Sequence, residues 1–338
     1  MEQSKAQERG RRSGKVAKKM KRRFRAPSLQ ADAEMPVAGR LCVVTGANTG
    51  IGRIIATELA RAGAHVVCAC RSRERTLPVV AAIRQETRNE RVEFRELDLA
   101  KLQSVRAFAS ELLADQGSGP VAVLCNNAGL MAPSWACTED GYEVTWQTNA
   151  LAPWLLTQLL MPSLVRAAAA AGGAPGSARV VNVGSRLEKT GSLADLQSEP
   201  DARKRFSSAA AFSTFPVYGT SKAALSALTF EQARRAPPGV AVSLCTPGMV
   251  NTELSRFAPA WLRFLSAPLR WAALRTPAAG ADTPAWLCAS DEAEAAGANG
   301  GYFYDRKRIE ASDAARSEGN AQALWATVAA QSGYIAPQ

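Results

Sequence analysis

The 338-residue chain contains a single histidine, His65. One imidazole cannot build a histidine-based zinc cluster, and a Ser/His/Asp triad has no neighbouring histidine to draw on. No metal site is expected. Long apolar runs are also missing. No stretch reaches the ~20 residues of a membrane-spanning helix. The longest candidate, 150–160, is interrupted by Pro153, Thr157 and Gln158, and no N-terminal anchor is visible. The seven cysteines form no CxxC pair and follow no secretory signal. Most fall in strand-like runs, where a thiol behaves as a small apolar group. A reduced, intracellular setting is expected, either cytoplasmic or peripheral on an organelle membrane.

Net positive charge is scarce outside the N-terminus. Of the net +11, residues 1–25 carry +9, from eleven Lys/Arg against two Glu. The remainder is near neutral, which argues against a nucleic-acid surface on the domain itself. Residues 1–37 read as a basic, disordered tail. Val16, Met20 and Phe24 recur every four residues, so the tail also suits a thin amphipathic helix on an anionic membrane, or an import or nuclear address. Glu2, Glu8 and the few serines speak against an organelle presequence.

From about residue 38, apolar runs alternate with helical patterns. Strand-like runs are 41–46, 65–71, 92–99, 121–129, 179–185, 240–248 and 300–306. Helical patterns lie between them, at about 51–63, 73–89, 101–115, 140–165, 217–235 and 279–290. The alanine-glycine stretch 167–178 reads as a frayed helix end plus a loop, and 187–215 as a polar insertion. This alternation predicts an α/β fold: one doubly wound parallel sheet covered on both faces, in a single domain over 38–312. Residues 313–338 read as a terminal helix and tail.

Three glycines fall within TGANTGIG, Thr45 to Gly52, directly after the first strand. At a strand–turn–helix junction, bare backbone and a helix N-terminus suit a pyrophosphate. Gly46 permits the tight turn, Gly50 allows close approach, and Gly52 lets the helix pack on the strand. The second strand ends Cys70-Arg71-Ser72-Arg73, without the acid that an NAD site usually places there. Arg71, with Arg53 in the glycine turn, suits a 2′-phosphate and favours NADP(H) over NAD(H). The plain alternative is a pair of surface arginines.

Tyr218 and Lys222 are four residues apart on a helical pattern and so share a face. A nearby ammonium is expected to lower the phenol's pKa, fitting it to exchange a proton with a carbonyl or alcohol oxygen. Alone, this spacing is equally that of a solvated pair.

TGANTGIG (45–52), LDL (97–99), NNAG (126–129), Asn149, Ser185, YGTSK (218–222) and Pro247-Gly248 occur in the order of the short-chain dehydrogenase/reductases. The chain resembles that family over roughly 38–310. The ACR strand end, the interval of 33 residues between Ser185 and Tyr218, and TPAAGADTPAWLCAS followed by GGYFYD resemble its retinol dehydrogenase-like branch. That branch usually carries NHLGHF where this chain has NALAPW, and a serine where it has Gly184.

The resemblance implies a Rossmann-type sheet of seven strands and NAD(P)-dependent interconversion of a carbonyl and an alcohol. Asn149 would order a proton-relaying water, Ser185 would bond the substrate oxygen, Tyr218 would be the acid/base, and Lys222 would hold the nicotinamide ribose. Gly46, Asn48, Thr49, Gly50, Ile51, Gly52 and Arg53 would meet the phosphates. Arg71, Asp98 and Leu99 would meet the adenosine end, with Asn127, Ala128 and Gly129 at its ribose and Asn126 holding the fourth strand. Pro247, Gly248, Val250 and Thr252 would cradle the nicotinamide. The apolar, arginine-studded segment 255–275 would be a lid over a lipophilic carbonyl or alcohol, a membrane contact, or core. Family members often pair through the helices at 140–165 and 217–235, which makes a homodimer one expected assembly. A non-catalytic NADP(H)-sensing protein on the same fold, at an organelle membrane, is the alternative.

Overall fold

The computed structural model describes residues 36–115, 117–193, 212–250, 275–292, 295 and 297–335. The basic tail, most of the 187–215 insertion, Thr252 and nearly all of the 255–275 segment lie outside the described residues.

Six of the apolar runs form strands in chain order: β1 Leu41–Thr45, β2 His65–Cys70, β3 Val92–Glu96, β4 Val121–Asn126, β5 Ala178–Val183 and β6 Val240–Cys245. All but β3 are buried along nearly their whole length, as strands covered on both faces must be. The helices are α1 Gly50–Arg61, α2 Arg73–Thr87, α3 Leu102–Ala114, α5 Thr214–Arg234 and α6 Pro277–Ala289. Between α3 and α5 lies α4, a continuous helix in three stretches: Val144–Trp146, a π-helical Gln147–Leu151, and Ala152–Ala170. Local chemistry sets several helix starts. Ser72 caps α2 by accepting from the Arg75 N–H, and Thr276 caps α6 with Pro277 following.

The sheet order is 3-2-1-4-5-6-7-8. β1 to β7, the last being Tyr302–Tyr304, are mutually parallel. The seven-stranded parallel expectation therefore gains an eighth strand, β8 Lys307–Ile309, antiparallel to β7. Asp305 and Arg306 both adopt positive φ, 51° and 57°, and fold the chain back in a two-residue turn. Neither is glycine or asparagine, so the turn carries no strong sequence signal. The Arg306 guanidinium on Asp282 of α6 holds it in place.

α1, α2 and α6 cover one face of the sheet; α3, α4 and α5 cover the other. The alanine run 167–170 completes α4 instead of fraying. The C-terminus forms two helices, α7 Asp313–Arg316 and α8 Glu318–Ser332. α8 lies across α4 and α5, where Trp325 and Tyr334 stand edge-on to the buried Trp154 at 5.1 and 5.5 Å. Part of the helix surface expected to pair between copies is thus covered by the chain's own C-terminus. All seven cysteines are free thiols, six of them buried. No described helix is long and apolar enough to cross a membrane.

Candidate active site

The sheet order reverses between β1 and β4, and the loops leaving β1, β4, β5 and β6 surround one cleft of about 750 Å³. In an open α/β sheet this is where ligands bind. Of the sequence-predicted residues, the cleft gathers Gly46, Asn48, Thr49, Gly50, Ile51, Gly52, Asn127, Ala128, Gly129, Ser185, Tyr218, Lys222, Pro247, Gly248 and Val250.

At one end the glycine turn feeds α1. Gly46 and Gly50 hold φ of 66° and 56°, in the left-handed region. A Cβ on Gly52 would overlap the Gly46 carbonyl oxygen and the Asn127 amide nitrogen. The N-terminus of α1 has no side-chain cap from Thr49 and no acid in its first turn. Its free N–H groups and dipole therefore remain available to an anion. The Asn127 amide donates to the Thr45 carbonyl at 2.9 Å, while the Thr45 hydroxyl accepts from the Ala128 N–H, also at 2.9 Å. These bonds tie the ends of β1 and β4 together beneath the cleft.

Arg53, Arg71, Asp98 and Leu99 do not line this cleft. Arg53 and Arg71 are exposed and pair with no acid among the described residues. Arg71 follows the end of β2, whose Ala69 carbonyl accepts from the Gly46 N–H. Asp98 spends one oxygen on the Ala100 N–H at 3.0 Å. Leu99 is buried. Asn126 donates to Asn182 and Thr157, joining β4 to β5 and α4.

The opposite end holds the polar groups. Tyr218 and Lys222 project from the first turns of α5, and Ser185 follows β5, so three distant sequence segments meet. Ser185 and Tyr218 both line this end of the cleft, where the Ser185 hydroxyl favours the Tyr218 phenolate. Lys222 donates to the Val183 carbonyl oxygen at 2.9 Å and lies 5.9 Å from the Tyr218 ring centroid. Asn149 stands behind Gly129, where a Cβ would come within 3.2 Å of its Oδ1 and 3.3 Å of the Lys222 Nζ. Its own amide is fully engaged with the Leu130 backbone and the Ser221 hydroxyl. The π-helical turn that carries Asn149 departs from regular α-helix pairing, a feature often found at functional sites.

The ionisation differs from the expectation. Burial pushes the Tyr218 phenol up to about 12, opposed by the nearby Ser185 hydroxyl. It pulls the Lys222 ammonium down to about 8. Desolvation penalises each charged form, and it is the largest influence on both groups.

Several lining residues escaped the sequence reading. Met131, Leu187, Phe215 and Met249 give the mouth an apolar rim, with Phe215 52 % and Met249 69 % exposed. Tyr304 stacks under Arg275, whose guanidinium carbon is 5.1 Å from the ring centroid. Ser221, inside the quoted YGTSK, does not line the cleft but was also missed; it accepts from the Asn149 amide at 3.0 Å.

A family model described as short chain dehydrogenase matches residues 40–194. Human retinol dehydrogenase 14 is 36% identical over 305 residues, covering 85% of this chain and 84% of its own. Mouse polyprenol dehydrogenase is 38% identical over 310 residues, covering 90% and 85%. Among solved structures, an uncharacterized protein from Mycobacterium Paratuberculosis superposes with a TM-score of 0.68 at 28% identity, covering 91% of this chain and 99% of that one. A Beutenbergia cavernae protein described as an NAD(P) dependent gluconate 5-dehydrogenase, with bound NADP, gives 0.58 at 28% identity, covering 80% and 96%.

Proposed function

Starting from a chain that belongs to the short-chain dehydrogenase family, and is therefore an NAD(P)-dependent oxidoreductase of alcohols and carbonyls, we propose that it uses NADPH to reduce a lipophilic carbonyl compound. The observation that carries this reading is the meeting of Ser185, Tyr218 and Lys222 in the same cleft as the glycine turn.

The cleft fits a dinucleotide. The uncapped N-terminus of α1 and the bare turn at Gly46–Gly52 would hold the pyrophosphate. Arg71 and Arg53, both without an acid partner among the described residues, would meet the 2′-phosphate. Pro247, Gly248 and Val250 would flank the nicotinamide, joined by Thr252. The bound cofactor supplies hydride. Ser185 and Tyr218 would hold the substrate oxygen between their hydroxyls. Tyr218, neutral at physiological pH, is a ready proton donor to a carbonyl oxygen that gains negative charge. Asn149, locked by Leu130 and Ser221, would keep the route to Lys222 ordered.

The apolar rim of Met131, Leu187, Phe215 and Met249 supports a lipophilic substrate, as do the retinol and polyprenol dehydrogenases among the relatives. The basic tail and the apolar segment 255–275 would bring the enzyme against a membrane surface, where such substrates concentrate. The test is NADPH oxidation by the purified protein with a panel of retinoid, steroid and long-chain aldehydes and ketones, beside Tyr218→Phe. Turnover lost in the variant is expected. Tight NADPH binding with no turnover across the panel would instead indicate a nucleotide-sensing protein.

A further inference from the structure

Two catalytic loops are tied to one distant segment. Ser185 opens a 3₁₀ turn, Arg186–Thr190, by accepting from the Leu187 N–H at 3.2 Å. Glu188 within that turn is fully buried. The sequence S-x-x-E would make it a partner of Ser185 in a capping box. Its carboxylate instead turns away and accepts from the Ser312 N–H at 3.1 Å and the Ser312 hydroxyl at 2.5 Å. Ser312 is the N-cap of α7.

Twenty residues further on, the end of α8 meets the other loop. The Tyr142 phenol donates to the Gln331 backbone carbonyl at 3.0 Å, and the Trp146 indole donates to the Gln331 side-chain oxygen at 3.1 Å. Trp146 immediately precedes the π-helical turn holding Asn149. The Gln331 amide nitrogen has no partner among the described residues, so the indole alone orients that side chain. Arg106 fixes the same end by donating to the Ser332 carbonyl at 2.5 Å. Between the two attachments, α7 and α8 pack along α5, the helix that carries Tyr218 and Lys222.

We propose that residues 312–332 form a strap that positions the catalytic groups, with Glu188 and Gln331 as its two fastening residues, setting the Ser185 turn and the Asn149 turn against the helix of Tyr218. A buried carboxylate is costly unless fully bonded. A covalently local cap would have satisfied Ser185's turn at no such cost. Glu188 spends its buried carboxyl oxygens on a residue 124 positions away, and the effect is to join the Ser185 turn to the strap. Neither fastening residue touches the cleft, so both act through Ser185 and Asn149.

This inference rests on the functional reading above, and the experiment separates the two. Glu188→Ala, Glu188→Gln, Ser312→Ala and Gln331→Leu are prepared in the full chain, and kcat, KM, NADPH affinity, Tm and amide hydrogen exchange are measured. Releasing a fastening should lower kcat on the order of tenfold or more, the scale of sub-ångström misplacement, with NADPH affinity little changed. Glu188→Gln keeps an acceptor oxygen for Ser312 and should restore most of the rate. Exchange at the Leu187 and Glu188 amides should quicken in Glu188→Ala and return in Glu188→Gln. If Glu188→Ala fails to fold, Ser312→Ala and Gln331→Leu carry the same expectations. The proposal is overturned if the variants keep wild-type kcat, if kcat falls only in step with Tm, or if Glu188→Gln gives no recovery. Should the wild-type protein reduce no carbonyl at all, the functional reading fails, and the exchange pattern alone then supports or overturns the strap.

Discussion

The Lys222 ammonium is bonded to the Val183 carbonyl oxygen, two residues before Ser185, and among the described residues no carboxylate pairs with it. A buried cation held by one neutral acceptor is a stability cost retained for function. Burial brings its pKa from the ordinary 10.5 to about 8. Between those values the unfolded chain binds more protons than the folded one, so stability rises with pH across this window. Lys222→Met should abolish turnover while gaining roughly 1 kcal/mol of stability at neutral pH. Thermal unfolding between pH 7 and 10 should also show a flatter pH dependence in the variant. A variant less stable than wild type at pH 7 would contradict this account.

Tyr218 gives a directional pH signature. With the phenol at about 12, it is protonated throughout the neutral range. In the proposed reaction the phenol is the acid for carbonyl reduction, so reduction should be flat with pH as far as Tyr218 is concerned. Alcohol oxidation needs the phenolate and should climb as pH rises. Tyr218→Phe should cost about 10²–10⁴-fold in both directions. Initial rates in each direction across neutral to alkaline pH check both statements.

The strands were readable because both faces of the sheet are covered, which makes β1, β2, β4, β5 and β6 continuous apolar runs. The glycine turn and YGTSK were readable because their chemistry is local. Three kinds of feature were not. The β7–β8 hairpin turns at Asp305 and Arg306, without the glycine that marks most two-residue hairpin turns. The Glu188–Ser312 and Trp146–Gln331 bonds join positions more than a hundred residues apart, and no spacing rule reaches that far. The ionisation of Tyr218 was expected from its neighbour alone, whereas burial decided it, and burial is a property of the folded chain.

Gly52 is the glycine whose replacement has the clearest steric consequence. A methyl group there would overlap a carbonyl oxygen and an amide nitrogen that themselves join β1, β4 and α1. Neither neighbour is a flexible side-chain end free to swing away, since the Asn127 amide is bonded to Thr45. Gly52→Ala should destabilise the protein by more than about 2 kcal/mol and weaken NADPH binding. Thermal unfolding and NADPH fluorescence titration measure the two effects.

Arg71 is where the proposed NADPH preference is tested most directly. It is exposed at the end of β2 and pairs with no acid among the described residues, so its guanidinium is available to a phosphate. Arg71→Asp replaces that donor with the acceptor that a ribose diol prefers. NADPH affinity should fall about 10–100-fold, the worth of a charge-assisted bidentate contact, and the preference for NADPH over NADH should shrink or invert. Equal losses for both cofactors would show that Arg71 supports the loop instead of reading the 2′ position.

Arg179 supplies a test of stability away from the cleft. It is 6 % exposed, and its guanidinium meets no carboxylate among the described residues; it donates to the Leu287 carbonyl at 3.0 Å, the Ser290 carbonyl at 2.7 Å and the Gly176 carbonyl at 2.9 Å. Leu287 and Ser290 are at the C-terminal end of α6, where helix carbonyls lack intrahelical partners and the dipole favours a cation. Arg179 is the second residue of β5, so one side chain fixes the end of α6 on the sheet. Arg179→Leu would fill the space but leave three buried acceptors without donors, each costing about 1–3 kcal/mol. The relief of the desolvated charge offsets part of this, so a net loss of roughly 2–3 kcal/mol is expected. Arg179→Lys should recover only part of it, because an ammonium on a single stem lacks the fork that reaches acceptors in two directions. Denaturant unfolding of the three proteins orders them as wild type, lysine, leucine, and NADPH binding should follow the folded fraction in each.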